Sequence, residues 1–319
     1  IHMRAVLLDW ATMGPDLDIS ELQALLPELE IYDDTDDEQM AERIAGAEIV
    51  LGNKVLLSQE LFDCAPGMRF IGLTATGTDN VDLVAARDRG IAVCNIRAYC
   101  TQSVAEHVFG CLLNLAHSLG PYVDEVRKGA WQDAANFCML NYPIRELSAM
   151  TLGIVGYGEL GKGVANIAKA FNMDVIVAAR PGADEIPEGR VSMDELLQRA
   201  DAISLHCPLN DVTRNLFGAV EFAAMKNTAL LINTARGGLV DSQALVDALR
   251  DGEIAAAAVD VLPQEPPVNG DPLLDYSGNN LIVTPHIAWG TLTARQAAID
   301  ELTANIAAFL DGKERCRVV

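Results

Sequence analysis

Along the first hundred residues, short apolar runs alternate with amphipathic stretches. The runs are Arg4–Leu8, Glu48–Leu51, Arg69–Leu73 and Ile91–Cys94, with a weaker one at Glu28–Tyr32. Between them, Ser20–Leu26, Asp36–Ala45, Ser58–Cys64 and Val81–Arg89 read as helices, and Ser20 and Ser58 open two of them as capping residues. Apolar runs bounded by helices imply strands buried on both faces, hence a small doubly wound parallel sheet. A longer helical pattern covers Thr101–Leu119, with Val104, Val108, Leu112 and Leu115 at helical spacing and Gly120-Pro121 as its stop. Phe109, Leu113 and Ala116 widen its apolar face, so it is either a core helix or one shared with a second subunit. A second alternating series predicts strands at Leu152–Val155, Asp174–Ala178, Ala202–Leu205, Ala229–Asn233, Ala256–Val259 and Leu281–Val283. Its helices fall at Leu160–Phe171, Met193–Arg199 and Ser242–Asp251, and Thr291–Leu310 closes the chain as one helix ending at Gly312. That last helix lies beyond the second series and is placed to return to the first domain.

A length of 319 residues suits two domains. With 23 basic against 45 acidic side chains the net charge is −22, which repels nucleic-acid phosphates and anionic membranes. No run of apolar residues is long enough for a membrane span. The seven cysteines form no C-x-x-C pair, which reads as reduced thiols in a cytoplasmic protein, with neither a disulfide frame nor a metal site. Ile1-His2 reads as a remnant before a native Met3, and the start lacks the features of a signal peptide.

Candidate chemistry gathers at the ends of the second series of strands. Gly156-Tyr157-Gly158-Glu159-Leu160-Gly161 follows an apolar strand and opens a helix, the context in which such glycines bind a dinucleotide pyrophosphate. Amides near Glu159 and Leu160 then face the phosphates. The next strand ends in Arg180, followed by Pro181, where an NAD site would carry an acid. A guanidinium there favours the 2′-phosphate of NADP, although Asp184 or Glu185 could fold back toward the ribose. Later strand ends carry His206-Cys207-Pro208, Asn233-Thr234-Ala235-Arg236-Gly237-Gly238 and Asp260. Arg236 suits a planar carboxylate bound bidentately, with an ion pair to Asp241 as the alternative. Glu265 lies in a stiff Gln-Glu-Pro-Pro turn. Among the histidines, His286 in Thr284-Pro285-His286 is the acid–base candidate. His107 and His117 are assigned to packing, and His206 to a loop near the cofactor.

Residues 75–81 (ATGTDNV), 156–161 (GYGELG), 233–241 (NTARGGLVD), 260–267 (DVLPQEPP) and 284–289 (TPHIAW) resemble the D-isomer-specific 2-hydroxyacid dehydrogenases over nearly the whole chain. Asn53-Lys54-Val55, Tyr142–Leu147 and Ala178–Gly182 look most like the glycerate dehydrogenase/hydroxypyruvate reductase branch. The resemblance implies a flavodoxin-like substrate domain of residues 3–100 plus 286–319 and an NAD(P)-binding Rossmann domain of residues 101–285, in a homodimer built through the helix after Thr101. It implies Arg236, Glu265 and His286 as catalytic residues: His286 the proton donor, Glu265 its orienting partner that favours the charged ring, Arg236 the carboxylate ligand. It places Glu159, Leu160, Arg180, Cys207, Thr213, Thr234, Ala235, Asp260 and Ala288 in the cofactor shell. Amides around Thr76 and Gly77 would hold the substrate, with Asn53, Lys54 and Trp289 as further lining. Arg97-Ala98-Tyr99-Cys100 departs from the family's proline-glycine turn. The implied activity interconverts D-glycerate and hydroxypyruvate, and also reduces glyoxylate, with NADP or NAD. Another 2-oxo acid reductase of the family, a formate or phosphite dehydrogenase and a dinucleotide-sensing corepressor-like protein stay open. The glutamate at position 265 argues against the formate branch, for which the resemblance implies a glutamine.

Overall fold

The structure is a computed structural model that describes residues 3–319; Ile1 and His2, with the remnant reading attached to them, lie outside the described residues. The chain divides into two compact units, one of residues up to Cys100 with Gly290–Val319, the other Thr101–Trp289.

The first unit holds strands β1 (Ala5–Leu7), β2 (Leu29–Ile31), β3 (Ile49–Gly52), β4 (Phe70–Leu73) and β5 (Ala92–Cys94). Its helices are α1 (Ser20–Leu25), α2 (Asp37–Ile44), α3 (Gln59–Cys64) and α4 (Leu83–Asp88). Ser58 caps α3 by position, whereas Ser20 is already the first residue of its helix. All strands run parallel in the order β2-β1-β3-β4-β5, a flavodoxin-like sheet. Each of β1, β3, β4 and β5 is buried throughout, because both faces are covered. One face packs Met40, Ile44, Phe62 and Ala86 from α2 to α4. The other packs Leu22 of α1 with Leu302 and Ile306 of the C-terminal helix (Leu292–Leu310), which Thr291 caps through the Ala294 amide.

The second unit opens with α5 (Thr101–His117) and α6 (Leu119–Arg127). The expected stop at Gly120-Pro121 therefore does not end the helical region. The break comes at Ser118, whose φ of 52° is left-handed, and Pro121 sits in the first turn of α6, where its missing N–H has no helical partner to lose. The strands are β6 (Thr151–Val155), β7 (Asp174–Val177), β8 (Ala202–Leu205), β9 (Leu230–Asn233), β10 (Ala256–Val259) and β11 (Leu281–Val283). Between them lie α7 (Glu159–Ala170), α8 (Met193–Arg199), α9 (Ala219–Ala224), α10 (Ser242–Asp251) and α11 (Pro272–Asp275), and the helix ending the chain is α12. The sheet is parallel, ordered β11-β10-β9-β8-β6-β7. A parallel bridge from Ala178 to Val191 adds one more pairing beyond β7. The strand order reverses between β6 and β8, the switch point at which open α/β sheets bind ligands.

The second chain crossing, read from sequence between 285 and 286, lies between Trp289 and Gly290. The reason is local. The amides of His286, Ile287 and Ala288 all donate to Asp260, at 2.8, 2.9 and 2.9 Å, so this loop is fastened to the end of β10.

Candidate active site

At the end of β6, Gly156 has φ +91°, a backbone conformation that an L side chain rarely adopts, and a Cβ there would strike the His206-Cys207 backbone. A Cβ on Gly161 would meet the Gly156 carbonyl, so this glycine lets α7 start against the strand. Gly158 differs, since a Cβ on it would meet nothing within 4 Å. Packing does not demand that glycine; a ligand approaching the backbone would. The helix start supplies orphan amides and positive dipole to an anion placed there. Glu159 turns its carboxylate away, accepting the Thr101 hydroxyl at 2.6 Å.

Beside this turn lies a cleft of about 470 Å³, lined by Gly156, Gly158, Arg180, Pro181, Cys207, Pro208 and Thr213, with Tyr157, Arg190 and His206. Arg190 comes from the loop before α8, and its guanidinium stands 4.7 Å from the Tyr157 ring centroid. Sequence reasoning missed this second arginine, because nothing local ties Arg190 to the glycine turn; Asp184 and Glu185 are exposed and do not line the cleft. Thr213 keeps its hydroxyl inside the loop, donating to the Pro208 carbonyl at 2.7 Å. Burial pushes the Cys207 thiol up to about 11, so it is a neutral lining group.

Burial likewise pushes His206 down to about 4. Its Nε2 shares a 2.7 Å hydrogen bond with Ser204, while Nδ1 is buried without a protein partner. The buried Thr234 hydroxyl is also without one. The glycine turn, the cleft beside it and the partnerless Nδ1 of His206, a residue lining that cleft, fit a nicotinamide dinucleotide. His206 also has a stability consequence. The unfolded chain takes up a proton near 6.5 and the folded chain refuses it until about 4, so its contribution is full above 6.5 and is lost as pH falls toward 4. Between pH 8 and pH 5 this removes about 2 kcal/mol. Urea unfolding of His206→Asn is expected to show a correspondingly flatter pH dependence than the parent protein over that interval.

The residues expected to be catalytic, Arg236, Glu265 and His286, follow β9, β10 and β11. His286 adopts φ 54°, a left-handed backbone. Its amide donates to the Asp260 carbonyl, and its carbonyl accepts from Trp289 Nε1 at 2.9 Å. Its Nδ1 lies 2.6 Å from Glu265 Oε2, and the other Glu265 oxygen accepts the Leu262 amide at 2.9 Å. The carboxylate can only accept, so Nδ1 carries the proton and Nε2 is left for a ligand. Gly237, next to Arg236, presses its backbone against Leu262 and Pro263, where a Cβ would collide. The loops bearing Arg236, Glu265 and His286 are thereby neighbours. The fully buried Asn233 shapes the arginine's loop: its Nδ2 donates to the Arg236 carbonyl and its Oδ1 accepts the Ala235 amide. No carboxylate pairs with Arg236 among the described residues, and Asp241, its alternative partner, instead caps α10 through the Ala244 amide. Asp260 and Ala288 engage their polar groups within the protein. Asp260 accepts the Thr284 hydroxyl at 2.6 Å, and the Ala288 carbonyl accepts the Ser103 hydroxyl at 2.7 Å.

In the first unit the residues assigned to substrate also stand at strand ends. Asp9, after β1, accepts the amides of Asn53, Lys54 and Val55, and the Asn53 side chain donates to Thr12. The Thr76 and Gly77 amides, after β4, make no protein hydrogen bond among the described residues. No group of three or more histidine, cysteine or acidic side chains is placed to hold a metal ion among the described residues.

A six-stranded parallel sheet with a glycine-cradled cleft at its switch point, and a carboxylate-backed imidazole following another of its strands, defines a nicotinamide-dinucleotide oxidoreductase. The family model described as the NAD binding domain of the D-isomer specific 2-hydroxyacid dehydrogenases matches residues 109–288. The chain belongs to that family and is a 2-hydroxyacid dehydrogenase. It is 45% identical over 277 residues to a glycerate dehydrogenase of Methylorubrum extorquens, covering 86% of this chain and 87% of that one. It is 38% identical to a hydroxypyruvate reductase of Blautia hydrogenotrophica, covering 97% and 98%. Among solved structures, an acyclic imino acid reductase in complex with NADPH and D-Arg superposes with a TM-score of 0.87 at 28% identity, over 99% of this chain and all of the other.

Proposed function

We propose that this enzyme interconverts D-glycerate and hydroxypyruvate and also reduces glyoxylate. The observation that carries the chemistry is the 2.6 Å bond from His286 to a Glu265 carboxylate that the Leu262 amide also holds. The names of the two relatives support the substrate. When bound, the dinucleotide supplies a hydride to the 2-oxo carbon or takes it back. The protein's residues handle the charge and the proton. Arg236 binds the substrate carboxylate and polarises the carbonyl. His286, oriented through Nδ1, gives the Nε2 proton to the developing alkoxide and removes it in the reverse direction. Glu265 stabilises the imidazolium that this requires. The Thr76 and Gly77 amides are proposed as further carboxylate donors, and Asn53, Lys54 and Trp289 as lining for the terminal hydroxyl.

NADP is the proposed preferred cofactor, because Arg180 lines the cleft where an acid would bind the NAD ribose. Arg180→Asp is expected to lower the NADPH-to-NADH ratio of kcat/KM by about 10–100-fold, the loss of one charge-assisted contact. A homodimer is proposed from the exposed apolar residues after α5. Trp131, Phe137, Leu140 and Ile144 lie in one segment, and Phe137 is 89% exposed. The seven cysteines, with no C-x-x-C pair among them, support a reducing, cytoplasmic setting.

The deciding experiment is steady-state reduction of hydroxypyruvate, glyoxylate and pyruvate, each with NADH and NADPH. Highest kcat/KM with hydroxypyruvate supports the assignment. A preference for pyruvate overturns the substrate, and tight dinucleotide binding without turnover on any of the three overturns the enzymatic reading.

A further inference from the structure

His107 stands in the second turn of α5 with its side chain 18% exposed, against an Asp260 side chain only 1% exposed. Its Nε2 is 3.3 Å from the Thr284 hydroxyl and 3.7 Å from Asp260 Oδ1. The threonine has one hydroxyl proton, and the Asp260 carboxylate takes it at 2.6 Å. The threonine oxygen can therefore only accept from His107, so Nε2 carries a proton. Donation runs from His107 to Thr284 to Asp260. Asp260 in turn accepts the Ile287 and Ala288 amides, the two that follow His286. One turn further along α5, Cys111 also faces this carboxylate. Burial, with Asp260 adding to it, pushes that thiol up to about 11, so it brings no charge. Among the described residues no lysine or arginine forms an ion pair with Asp260.

We propose that His107 is a positioning residue: through Thr284 and Asp260 it fixes the backbone that sets His286 against Glu265. The left-handed φ of 54° at His286 makes such fixing necessary, because that conformation persists only where its surroundings hold it. Packing alone would need no N–H at position 107, whereas this arrangement does. The inference rests on the roles given to His286 and Glu265 above.

The test compares His107→Leu, His107→Gln, Thr284→Val and the His107→Leu/Thr284→Val double variant. Each is read by melting temperature, kcat, KM and NAD(P)H affinity from fluorescence titration. The glutamine places an amide N–H near the position of the imidazole Nε2. His107→Leu is expected to lower kcat by about tenfold or more, since small misplacements of catalytic groups are costly. NAD(P)H affinity and KM should change little, and His107→Gln should recover most of the rate. The double variant should be no slower than Thr284→Val alone, because both substitutions break one chain of donation. Unchanged kcat in a folded His107→Leu, failure of glutamine to recover the rate, or losses that multiply in the double variant each overturn the proposal. If His107→Leu does not fold, Thr284→Val and His107→Gln decide it: wild-type kcat in Thr284→Val overturns it. Normal turnover in His286→Ala would instead overturn the catalytic reading beneath it.

Discussion

His286→Ala is expected to lower kcat by roughly 10²–10⁴-fold, the usual contribution of a positioned general acid. NAD(P)H affinity should stay close to that of the parent protein. The separation follows from geometry. The turn at Gly156–Gly161 and the cleft with Arg180 lie at the ends of β6 to β8, whereas His286 follows β11 and reaches Glu265 in the loop after β10. Alanine removes the proposed proton donor while leaving the cleft intact. It also suits the chain less well at φ 54°, because histidine is among the residues that tolerate that region. A melting temperature therefore accompanies the kinetics, and His286→Asn serves as a second variant that keeps a left-handed backbone accessible. Glu265→Gln should be milder. It can still accept from Nδ1, yet it no longer balances the charge of an imidazolium. Near-normal kcat in both His286 variants would remove the imidazole from the mechanism, and the proton would have to come from another group.

What could be read along the chain was what burial writes locally. Strands such as Ala256–Val259 and Phe70–Leu73 are buried on both faces, so they must be apolar throughout and stand out as runs. The glycine turn was legible because φ at Gly156 and close approach at Gly161 impose a residue type. Helix α6 was not, because Gly120-Pro121 is the usual signature of an end, and only the left-handed Ser118 shows that the first turn restarts around it. The four-residue α11 is too short to show a period. At the site, Arg180, Arg236 and His286 were visible as polar residues following apolar strands. That the loops of Arg236, Glu265 and His286 are neighbours was not visible, since it depends on Gly237 lying against Leu262 and Pro263 and on the bond from His286 to Glu265. Asp260 shows the difference most clearly. Its place after a strand suggested a ligand contact, but the carboxylate faces inward and collects the donors of the His286 loop. Ala98 adds a smaller case, with φ 61° where the family's pattern has a proline-glycine turn.

Arg236→Gln is expected to reduce kcat/KM for hydroxypyruvate by about 10²–10³-fold, the scale of removing one donor from a site of developing negative charge. Most of that loss belongs to the substrate carboxylate. In a protein of net charge −22, a small anion is repelled by the surface as a whole and needs a local cation. Arg236 can serve because it has no carboxylate partner among the described residues; its Nη1 rests only on the Ala235 carbonyl at 2.8 Å. Substitution leaves no buried acid unpaired, so melting temperature should barely move. The loop should also survive, since Asn233 holds it through the backbone of Ala235 and Arg236 and not through the guanidinium. Arg236→Lys keeps the charge but loses the planar two-pronged contact, and should fall between glutamine and the parent enzyme. The sharpest readout is a comparison of pyruvate with acetone, a ketone lacking the carboxylate. The parent protein should discriminate strongly between them, and Arg236→Gln should shrink that discrimination by about the factor it loses on pyruvate. A variant that loses activity on both equally, or loses NAD(P)H binding to the same degree, would show that Arg236 supports the loop or the cofactor rather than the carboxylate.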